Sequence, residues 1–353
     1  MKKICFFLPS LTNSAGMERI STSLANMLSV NGYNCSFIVL DNTTNSYFKL
    51  HNTIKVYSLG NVDVRHDRMA AALRLYKLVI SQDYNYFVNV DVSMSQISIL
   101  AFLFIRKCKV ITWEQFSMSL NHTCLKKIQR YLAVINSSKM VVLTKADKDE
   151  YPYFLQHKVM AIPNFTTINI SNKQSSLDSN VVLAVGRLED VKGFDLLIKS
   201  WKKISKTNPD YRLRIVGGGK LNKMLQDLIN NMELNKFIEI VPPTKTIEDE
   251  YLKSSLFVLS SRFEPFGLVL IEAKSYGLPI ISFDCPFGPR EIVNDGYDGI
   301  LVPNGDINKM ADSIIYIMRN KDRLREMGQN GFLDYKKRWS EKKALESWKS
   351  LFI

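Results

Sequence analysis

The sequence alternates short β-rich runs with helix-like segments, and it does so in two series. The predicted strands of the first series are residues 4–8, 36–40, 86–90, 110–113 and 140–143, and those of the second are residues 181–185, 213–216, 237–241, 256–260 and 279–283. Such alternation predicts parallel sheets that helices cover on both faces. The polar run at residues 171–176 is typical of a linker. We therefore predict an α/β protein with two domains, residues 1–172 and 173–335, that face each other across a cleft, and a final helix within residues 336–353 that packs back across the joint.

The cysteines and the apolar segments indicate the compartment. The five cysteines are odd in number and scattered, mostly in apolar surroundings, so we expect reduced thiols in the core and a cytoplasmic protein. The first apolar run stops at Pro9, which favours a buried strand over a signal peptide. The longest apolar run, residues 97–105, is well short of the ~20 residues that a membrane-spanning helix needs. No transmembrane segment is expected.

Positive charge is concentrated in the first half of the chain. Residues 1–170 hold 19 Lys and Arg against 10 Asp and Glu, a net +9 out of the total of +13. A basic surface of this kind can bind an anionic membrane or nucleic acid, or it can simply be a solvated face. Basic and apolar residues alternate at helical spacing in one segment: Leu125, Lys126, Lys127, Ile128, Arg130, Tyr131 and Leu132. That pattern fits either an interfacial helix or an ordinary helix packed on a sheet.

A loop in the second half carries two carboxylates. Residues 261–273 place Glu264 and Glu272 on either side of a turn that contains Pro265 and Gly267. We predict that Glu264 lies in the loop and Glu272 on the apolar helix that follows. The first amides of that helix would point at one spot, which suits a phosphate. One carboxylate could then reach the hydroxyls of a sugar and the other those of a ribose.

Glycines follow early strands in both halves. They are Gly16 in the first half and Gly186, Gly193, Gly217, Gly218 and Gly219 in the second. Arg187 and Lys192 lie five residues apart in one of these glycine-bounded loops, where two cations would neutralise a diphosphate. The Gly-x-Gly-x-x-Gly spacing of dinucleotide-binding proteins is absent after the first strand, which counts against a nicotinamide-dependent dehydrogenase.

These motifs resemble those of the family-four retaining glycosyltransferases (the group 1 glycosyltransferases), and the resemblance covers nearly the whole chain. Gly186, Arg187, Lys192 and Gly193 match the family's Gly-Arg-x(4)-Lys-Gly element, and Glu264 and Glu272 match its paired glutamates. The segment at residues 284–291 resembles a subgroup that builds bacterial envelope polysaccharides. The resemblance implies two facing Rossmann-like domains, the GT-B fold, with an N-terminal acceptor domain and a C-terminal nucleotide-sugar domain.

The resemblance also implies roles for individual residues. It makes Glu264, Arg187 and Lys192 catalytic, and it places the donor nucleotide-sugar on Gly186, Gly217, Gly218, Phe266, Gly267, Leu268 and Glu272. On the acceptor side it points to Gly16, Glu18 and Gln115. Similar enzymes have histidine where this chain has Gln115; glutamine donates to a sugar hydroxyl but cannot act as an acid or base. The four histidines have no metal-ligand spacing, and we expect neither a metal nor a cofactor beyond the UDP-sugar co-substrate.

The implied function is retaining transfer of a hexose, of the Gal, GalNAc or Glc type, from a UDP-sugar to a lipid-linked oligosaccharide or polysaccharide. The product would be a bacterial envelope polysaccharide such as O-antigen, capsule or exopolysaccharide. We expect a peripheral protein on the inner face of the cytoplasmic membrane, held by its anionic surface. The alternatives are a nucleotide-sugar epimerase of the same fold and a catalytically silent subunit, the latter suggested by Gln115. Nucleic-acid binding is disfavoured because no reader motif is present.

Overall fold

The computed structural model describes residues 1–13, 16–60, 62, 67–103, 105, 107–115, 124–166, 173–244 and 246–353. The chain divides into two compact units: unit 1 comprises Met1–Thr167 and Glu341–Ile353, and unit 2 comprises Ile168–Ser340. Part of the predicted linker, residues 171–172, and the two residues before Gly16 lie outside the described ranges.

Unit 1 is built on a seven-stranded parallel sheet. Its strands are β1 (Lys3–Leu8), β2 (Asn34–Val39), β3 (Lys55–Ser58), β4 (Tyr86–Val90), β5 (Lys109–Trp113), β6 (Lys139–Val142) and β7 (Val159–Ala161). They lie in the order β3-β2-β1-β4-β5-β6-β7. The helices are α1 (Gly16–Val30), α2 (Arg68–Gln82), α3 (Ser95–Ala101), α4 (Cys124–Asn136), α5 (Lys145–Asp149), α6 (Tyr153–Gln156) and, from the C-terminus, α14 (Glu341–Lys349).

The strands of unit 1 are buried on both faces, because successive side chains point to opposite sides of a sheet. Ile4 and Phe6 pack under α1 and α14. Cys5 and Phe7 pack on the other side, under α2 and α3. The strand register connects Phe7 of β1, through β4 and β5, with Met140 of β6, so both side chains lie on this same face. Met140 packs against α4. Helices α2, α3 and α4 therefore cover one face together.

The C-terminal segment belongs to unit 1. Trp348 of α14 is 1% exposed and packs edge-on against Trp113 of β5, with ring centroids 4.7 Å apart. Phe352 joins the same cluster through an edge contact with Tyr86. The aromatic side chains thus fix the last residues of the chain to the sheet that the first residues build.

Unit 2 repeats the architecture with six parallel strands. They are β8 (Val181–Val185), β9 (Arg212–Val216), β10 (Ile238–Val241), β11 (Leu256–Leu259), β12 (Ile280–Asp284) and β13 (Gly299–Pro303), in the order β10-β9-β8-β11-β12-β13. The helices are α7 (Phe194–Thr207), α8 (Asn222–Asn231), α9 (Ile247–Leu252), α10 (Leu268–Ser275), α11 (Gly288–Ile292), α12 (Ile307–Arg319) and α13 (Lys321–Asp334), followed by a π-helical turn at Tyr335–Trp339. Two Rossmann-like α/β units confirm the predicted fold class.

Each sheet has one point where the strand order reverses. In unit 2 the chain moves outward from β8 through β9 to β10, and then in the other direction from β11 to β13. Unit 1 reverses in the same way between β1 and β4. In open parallel sheets, ligands bind outside the carboxyl ends of the strands at this point. The loops after β8 and β11 are therefore the place in unit 2 to look for a ligand site.

A buried ion cluster lies in the interior of unit 2. The Lys274 Nζ is fully buried and lies 2.8 Å from Asp298 Oδ2 and 2.8 Å from Asp334 Oδ2. Burial opposes ionisation of Asp334, but the hydrogen bond from Arg338 and the charge of Lys274 outweigh it and lower the pKa of Asp334 below its usual value. The cluster joins α10 to α13.

The cysteines are all free thiols. Cys5, Cys35, Cys108 and Cys285 are buried, as predicted. Cys124 is exposed at the start of α4, so the prediction of a core position is wrong there. The reason is that α4 turns Cys124 away from the sheet.

Candidate functional site

The loops after β8 and β11 meet in an ion pair. Lys192 lies in a short 3₁₀ segment, Asp190–Lys192, and its Nζ is 2.6 Å from Oε2 of Glu264. The Ser261 hydroxyl donates to the same oxygen at 3.1 Å. The Glu264 side chain is only 8% exposed, so the pair is shielded from water and its charges interact strongly. Two residues predicted separately, one for a diphosphate and one for a sugar, thus lie in direct contact.

Further contacts hold the two loops together. Arg262, after β11, forms a bidentate pair with Asp195 at the start of α7, with both N–O distances 2.8 Å. The Arg262 amide donates to the Val191 carbonyl at 2.8 Å, and the Ser260 hydroxyl donates to the Lys192 carbonyl at 3.0 Å. Planar, paired hydrogen bonds of this type restrict geometry as well as adding energy. Lys192 and Glu264 are therefore held at fixed positions before any ligand arrives.

Gly193 allows these loops to approach. Its φ is +63°, in the left-handed region, and a Cβ at this position would lie 2.0 Å from the Ser260 carbonyl oxygen. No residue with a side chain fits there without displacing the backbone. The second glycine of the Gly-Arg-x(4)-Lys-Gly element is thus required by packing.

Gly217 packs in the same manner on the neighbouring loop. A Cβ here would lie 1.9 Å from the Gly186 carbonyl oxygen, and the Leu188 amide donates to the Gly218 carbonyl at 2.9 Å. Gly186, Gly217 and Gly218 therefore close-pack the ends of β8 and β9. Their contact with a nucleotide remains a prediction.

Helix α10 begins directly after the carboxylate loop. Gly267 caps it with φ +93°, and Leu268 is its first residue. The first amides of a helix have no intrahelical acceptor, and they attract an anion. The Phe266 side chain is 3% exposed and packs edge-on against Trp339, so Phe266 can offer a ligand only its backbone.

Glu272 lies on α10, as predicted, and is 5% exposed. Its Oε2 accepts a hydrogen bond of 2.8 Å from the hydroxyl of Tyr251, whose ring stacks on Tyr276 at 5.2 Å. The sequence analysis missed Tyr251 because it lies on α9, 21 residues before Glu272, and nothing in its neighbourhood marks it. The stack fixes the Tyr251 ring, and the ring orients the carboxylate.

Arg187 is placed differently from Lys192. Its side chain is 74% exposed and pairs with Glu189 at 3.0 Å. Within the described residues no ion pair joins Arg187 to Glu264. The loop brings Lys192, but not Arg187, into contact with the carboxylate.

Phe287 adds strain beside Glu264. Its φ of +78° is uncommon for a bulky residue. Residues 264 and 287 form an isolated parallel bridge, and the Gly288 amide donates to the Glu264 carbonyl at 2.9 Å. Strained backbone persists where the surroundings fix it, and it clusters at functional sites. The sequence signal for this strain was the segment at residues 284–291, whose resemblance pointed only to a subgroup.

The predicted acceptor residues lie at the carboxyl edge of the sheet in unit 1. Gly16 begins α1, and Glu18 in its first turn is 3% exposed; the Asn13 amide donates to its Oε1 at 3.2 Å. Gln115 follows β5, and its Oε1 accepts from Asn164, after β7, at 3.2 Å. Among the described residues, Glu18 Oε2 and Gln115 Nε2 have no hydrogen-bond partner.

Glu114, beside Gln115, forms a buried network that the sequence analysis missed. Arg130 of α4 pairs with one carboxylate oxygen, and the Tyr151 hydroxyl donates to the other at 2.6 Å. Burial raises the pKa of Glu114 to about 7, against the opposing effects of Arg130 and Tyr151. Arg130 was predicted on a basic helical face, and the structure instead places it in the interior.

One cavity of unit 1 lies apart from the predicted site residues. A cavity of about 190 Å³ lies between α3 and the end of α4, lined by residues such as Asn89, Ser98 and Ser137, and it includes no predicted site residue. In the described part of the chain no three His, Cys, Asp or Glu side chains come close enough to hold a metal ion.

Two Rossmann-like α/β units are the architecture of the GT-B class of glycosyltransferases. The comparisons agree. The family model described as glycosyl transferases group 1 matches residues 166–334. An uncharacterised glycosyltransferase of Haemophilus influenzae is 30% identical over 99% of this chain and 100% of its own length. The chain belongs to the group 1 glycosyltransferases.

Two further similarities extend the comparison. The amylovoran biosynthesis glycosyltransferase AmsD of Erwinia amylovora is 31% identical over 86% of each chain. The crystal structure of Anabaena Alr3699/HepE in complex with UDP superimposes with a TM-score of 0.83, covers 100% of this chain and 99% of that one, and is 18% identical. At that identity the likeness shows the fold alone.

Proposed function

We propose that the protein transfers a hexose, with retention of configuration, from a UDP-hexose to a lipid-linked saccharide during the synthesis of a bacterial envelope polysaccharide. The observation that carries this proposal is the Lys192–Glu264 pair at the strand-order reversal of unit 2. Two named proteins support it: the Erwinia relative acts in amylovoran biosynthesis, and the Anabaena structure contains UDP.

Lys192 and the start of α10 stabilise the leaving group. As the bond from the anomeric carbon to the UDP oxygen lengthens, negative charge grows on the diphosphate. Lys192, Arg187 and the first amides of α10 receive that charge, and one preorganised donor contributes about 3–4 kcal/mol. Because Lys192 is paired with Glu264 in the free protein, the donor replaces Glu264 as its partner. The freed carboxylate then accepts hydrogen bonds from sugar hydroxyls.

The acceptor supplies the nucleophile. Its hydroxyl oxygen attacks the anomeric carbon on the side from which UDP departs, and its proton passes to the departing phosphate oxygen. The bond to UDP breaks as the bond to the acceptor forms, so configuration is retained. The step uses no covalent enzyme intermediate, and neither a metal nor a cofactor is assigned to it.

Glu272 binds the nucleotide. It receives the hydroxyls of the ribose, and Tyr251 orients it through their 2.8 Å hydrogen bond. A carboxylate accepts from two hydroxyls at once, which suits a vicinal diol.

Unit 1 binds the acceptor. Counted over the described residues, Glu18 and Gln115 each have one unpartnered polar atom at the carboxyl edge of the sheet. Gly16 lies at the same edge, where α1 begins. Gln115 donates to a hydroxyl without exchanging a proton. We place the protein on the inner face of the cytoplasmic membrane, where a lipid-linked acceptor is available. None of the helices in the described ranges is long and apolar enough to cross a bilayer.

The test is UDP release from UDP-Gal, UDP-GalNAc, UDP-Glc and UDP-GlcNAc, with bacterial membrane extract as the acceptor source. We expect acceptor-dependent release from one donor. Glu264→Ala should reduce turnover about 10²–10³-fold with little change in UDP affinity, because the residue acts on the sugar. Glu272→Ala should weaken UDP binding.

Glu239→Ala is the matched control, since Glu239 is an exposed carboxylate of unit 2 that pairs with Arg214 on the sheet surface. It should leave turnover unchanged. UDP binding without release from any donor would contradict the transferase and favour a silent subunit. Wild-type turnover in Glu264→Ala would overturn the site.

A further inference from the structure

Helix α4 turns its large apolar side chains outward. Leu125, Ile128, Leu132 and Ile135 are 80%, 52%, 48% and 53% exposed, whereas the helix buries Arg130, Ala133 and Val134 against the sheet. At 100° per residue the four apolar side chains occupy an arc of roughly 80° opposite the buried face. An ordinary surface helix has the reverse arrangement, with its apolar stripe on the core. The apolar stripe of α4 is thus not used by the fold.

The neighbouring helices on the same face continue this surface. Met69, Leu73 and Ile80 of α2 share one side of that helix and are more than half exposed, as is Leu103 after α3. We define the outer layer of unit 1 as α2, α3, Leu103 and α4. Unit 2, over its described residues, exposes only four large apolar side chains, on separate elements: Met224, Tyr297, Tyr316 and Leu333.

Within its helices, the outer layer carries charge of one sign, although the exposed Asp67 and Asp83 cap the two ends of α2. Helices α2, α3 and α4 contain no Asp or Glu. Their exposed charged residues are Arg68, Arg74, Lys77, Lys126 and Lys127. Each of the helices α7–α13 of unit 2, by contrast, carries at least one acidic residue. Absence of acidic residues over three successive helices favours an anionic partner.

We propose that the outer layer of unit 1 docks on the surface of a bilayer that contains anionic phospholipid. The leucine and isoleucine side chains of α4 enter the headgroup boundary, and the lysines and arginines contact lipid phosphates. A protein partner would need acidic groups around an apolar groove, whereas a bilayer supplies both chemistries over a broad surface. The inference deepens the proposed function and rests on it in one respect, since a lipid-linked acceptor is reached only at a membrane.

The decisive experiment is co-sedimentation of the full chain with vesicles of phosphatidylcholine alone and with vesicles that also contain about 30% phosphatidylglycerol, which gives them a negative surface potential. The wild type should partition at least about tenfold more strongly to the anionic vesicles, and less so at high salt. In the α4 variant, Leu125, Ile128, Leu132 and Ile135 are all changed to Gln. This variant should bind the anionic vesicles at least about tenfold more weakly than the wild type does. The side chains face outward, so the fold is expected to remain.

The matched control changes the four exposed apolar residues of unit 2, Met224, Tyr297, Tyr316 and Leu333, to Gln, and it should bind vesicles as the wild type does. An environment-sensitive dye on Cys124, the one exposed cysteine of the five, should shift to the blue with anionic vesicles. Vesicle binding equal in the α4 variant and the wild type would overturn the proposal, as would an unshifted dye. A wild-type dimer that the α4 variant turns into a monomer would assign the surface to self-association instead.

Failure of this proposal is distinguishable from failure of the proposed function. UDP binding, and UDP release with a water-soluble acceptor, should be unchanged in the α4 variant. Release with an acceptor embedded in vesicles should fall. If both forms of release are absent in the wild type while vesicle binding persists, the transferase proposal fails and the docking surface stands.

Discussion

Units 1 and 2 have the same parallel sheet and the same reversal of strand order, but they differ in what they add to it. Unit 2 adds loops that glycine packs tightly, with a buried Lys192–Glu264 pair at the reversal. Unit 1 adds an outer layer whose exposed apolar and basic side chains lie outside its own core. On a shared scaffold of this kind, function depends on the loops at the carboxyl edge and on the outward faces of the helices.

A second contrast concerns buried glutamates. In each unit a tyrosine hydroxyl donates to one: Tyr151 to Glu114 in unit 1, and Tyr251 to Glu272 in unit 2. Glu114 also pairs with Arg130 in the interior. Glu114 holds Arg130 and Tyr151 together within unit 1, whereas the role proposed for Glu272 is to bind the ligand.

The largest expected difference between the units is in their glycines. Gly193→Ala should lower the free energy of unfolding of unit 2 by on the order of 4 kcal/mol, because the added Cβ would lie 2.0 Å from a backbone carbonyl. Gly32→Ala in unit 1 is the control: its φ is +84° but no atom lies within 4 Å of the added carbon, so the cost should be about 1 kcal/mol. Hydrogen exchange resolved by peptide measures each unit separately. Equal losses of unfolding free energy in the two variants would show that the close packing at Gly193 does not require a glycine there.

The units should also respond to pH in opposite directions. The raised pKa of Glu114, about 7 against an ordinary 4.5, means that folded unit 1 binds more protons than its unfolded state between these values. Its stability should therefore fall as pH rises through that range, by at most about 1.4 kcal/mol per pH unit. The pKa of Asp334 is lowered instead, so unit 2 should lose stability as pH falls through and below 3.8.

Hydrogen exchange at pH 5, 6 and 7 measures the first slope, and exchange below pH 4 measures the second. Glu114→Gln should flatten the slope of unit 1 and leave that of unit 2 unchanged. The groups that face Glu114 are Arg130, Tyr151 and the more distant Asp91. A slope that survives in Glu114→Gln would assign it to another group.

The smallest expected difference between the units is in UDP affinity after Tyr→Phe changes at the two tyrosines. Tyr251→Phe removes one hydrogen bond to Glu272 and should weaken UDP binding about three- to tenfold, since such a bond contributes about 1 kcal/mol. Turnover at saturating donor concentration should not change, because Tyr251 only positions Glu272, the residue proposed to bind the ribose. Tyr151→Phe should leave UDP affinity unchanged. Calorimetric titration with UDP measures both variants, and an equal loss in both would mean that neither tyrosine acts locally.

The sequence predicted ten strands, and all ten are present with ends shifted by at most two residues. It missed β3, β7 and β13, each of which lies at the edge of its sheet. Interior strands of a parallel sheet are buried on both faces and appear as continuous apolar runs. Edge strands have one neighbour, and those missed here include residues such as Lys55 and Pro303, so their pattern is weak.

The loops of the candidate site were predicted to converge, but the pairing of Lys192 with Glu264 was not predicted. Pro265 and Gly267 marked the start of α10, and hence the positions of Glu264 and Glu272, because turn chemistry is local. The contact of Lys192 with Glu264 joins residues 72 positions apart, and no local signal encodes it. Tyr251 and Arg130 were missed for the same reason: their partners lie in other elements.

By itself the sequence determined the elements and their class. Alternating apolar runs, glycines and prolines act over a few residues, and these fix strands, turns and helix starts wherever the chain goes. Only the tertiary structure decided which side chains meet and which face of a helix remains outside. In α4 the helical period gave two possible faces, and the buried pair of Arg130 with Glu114 selected the one that leaves Leu125, Ile128, Leu132 and Ile135 exposed. Long-range pairing of charges, which a local pattern does not contain, settled that choice.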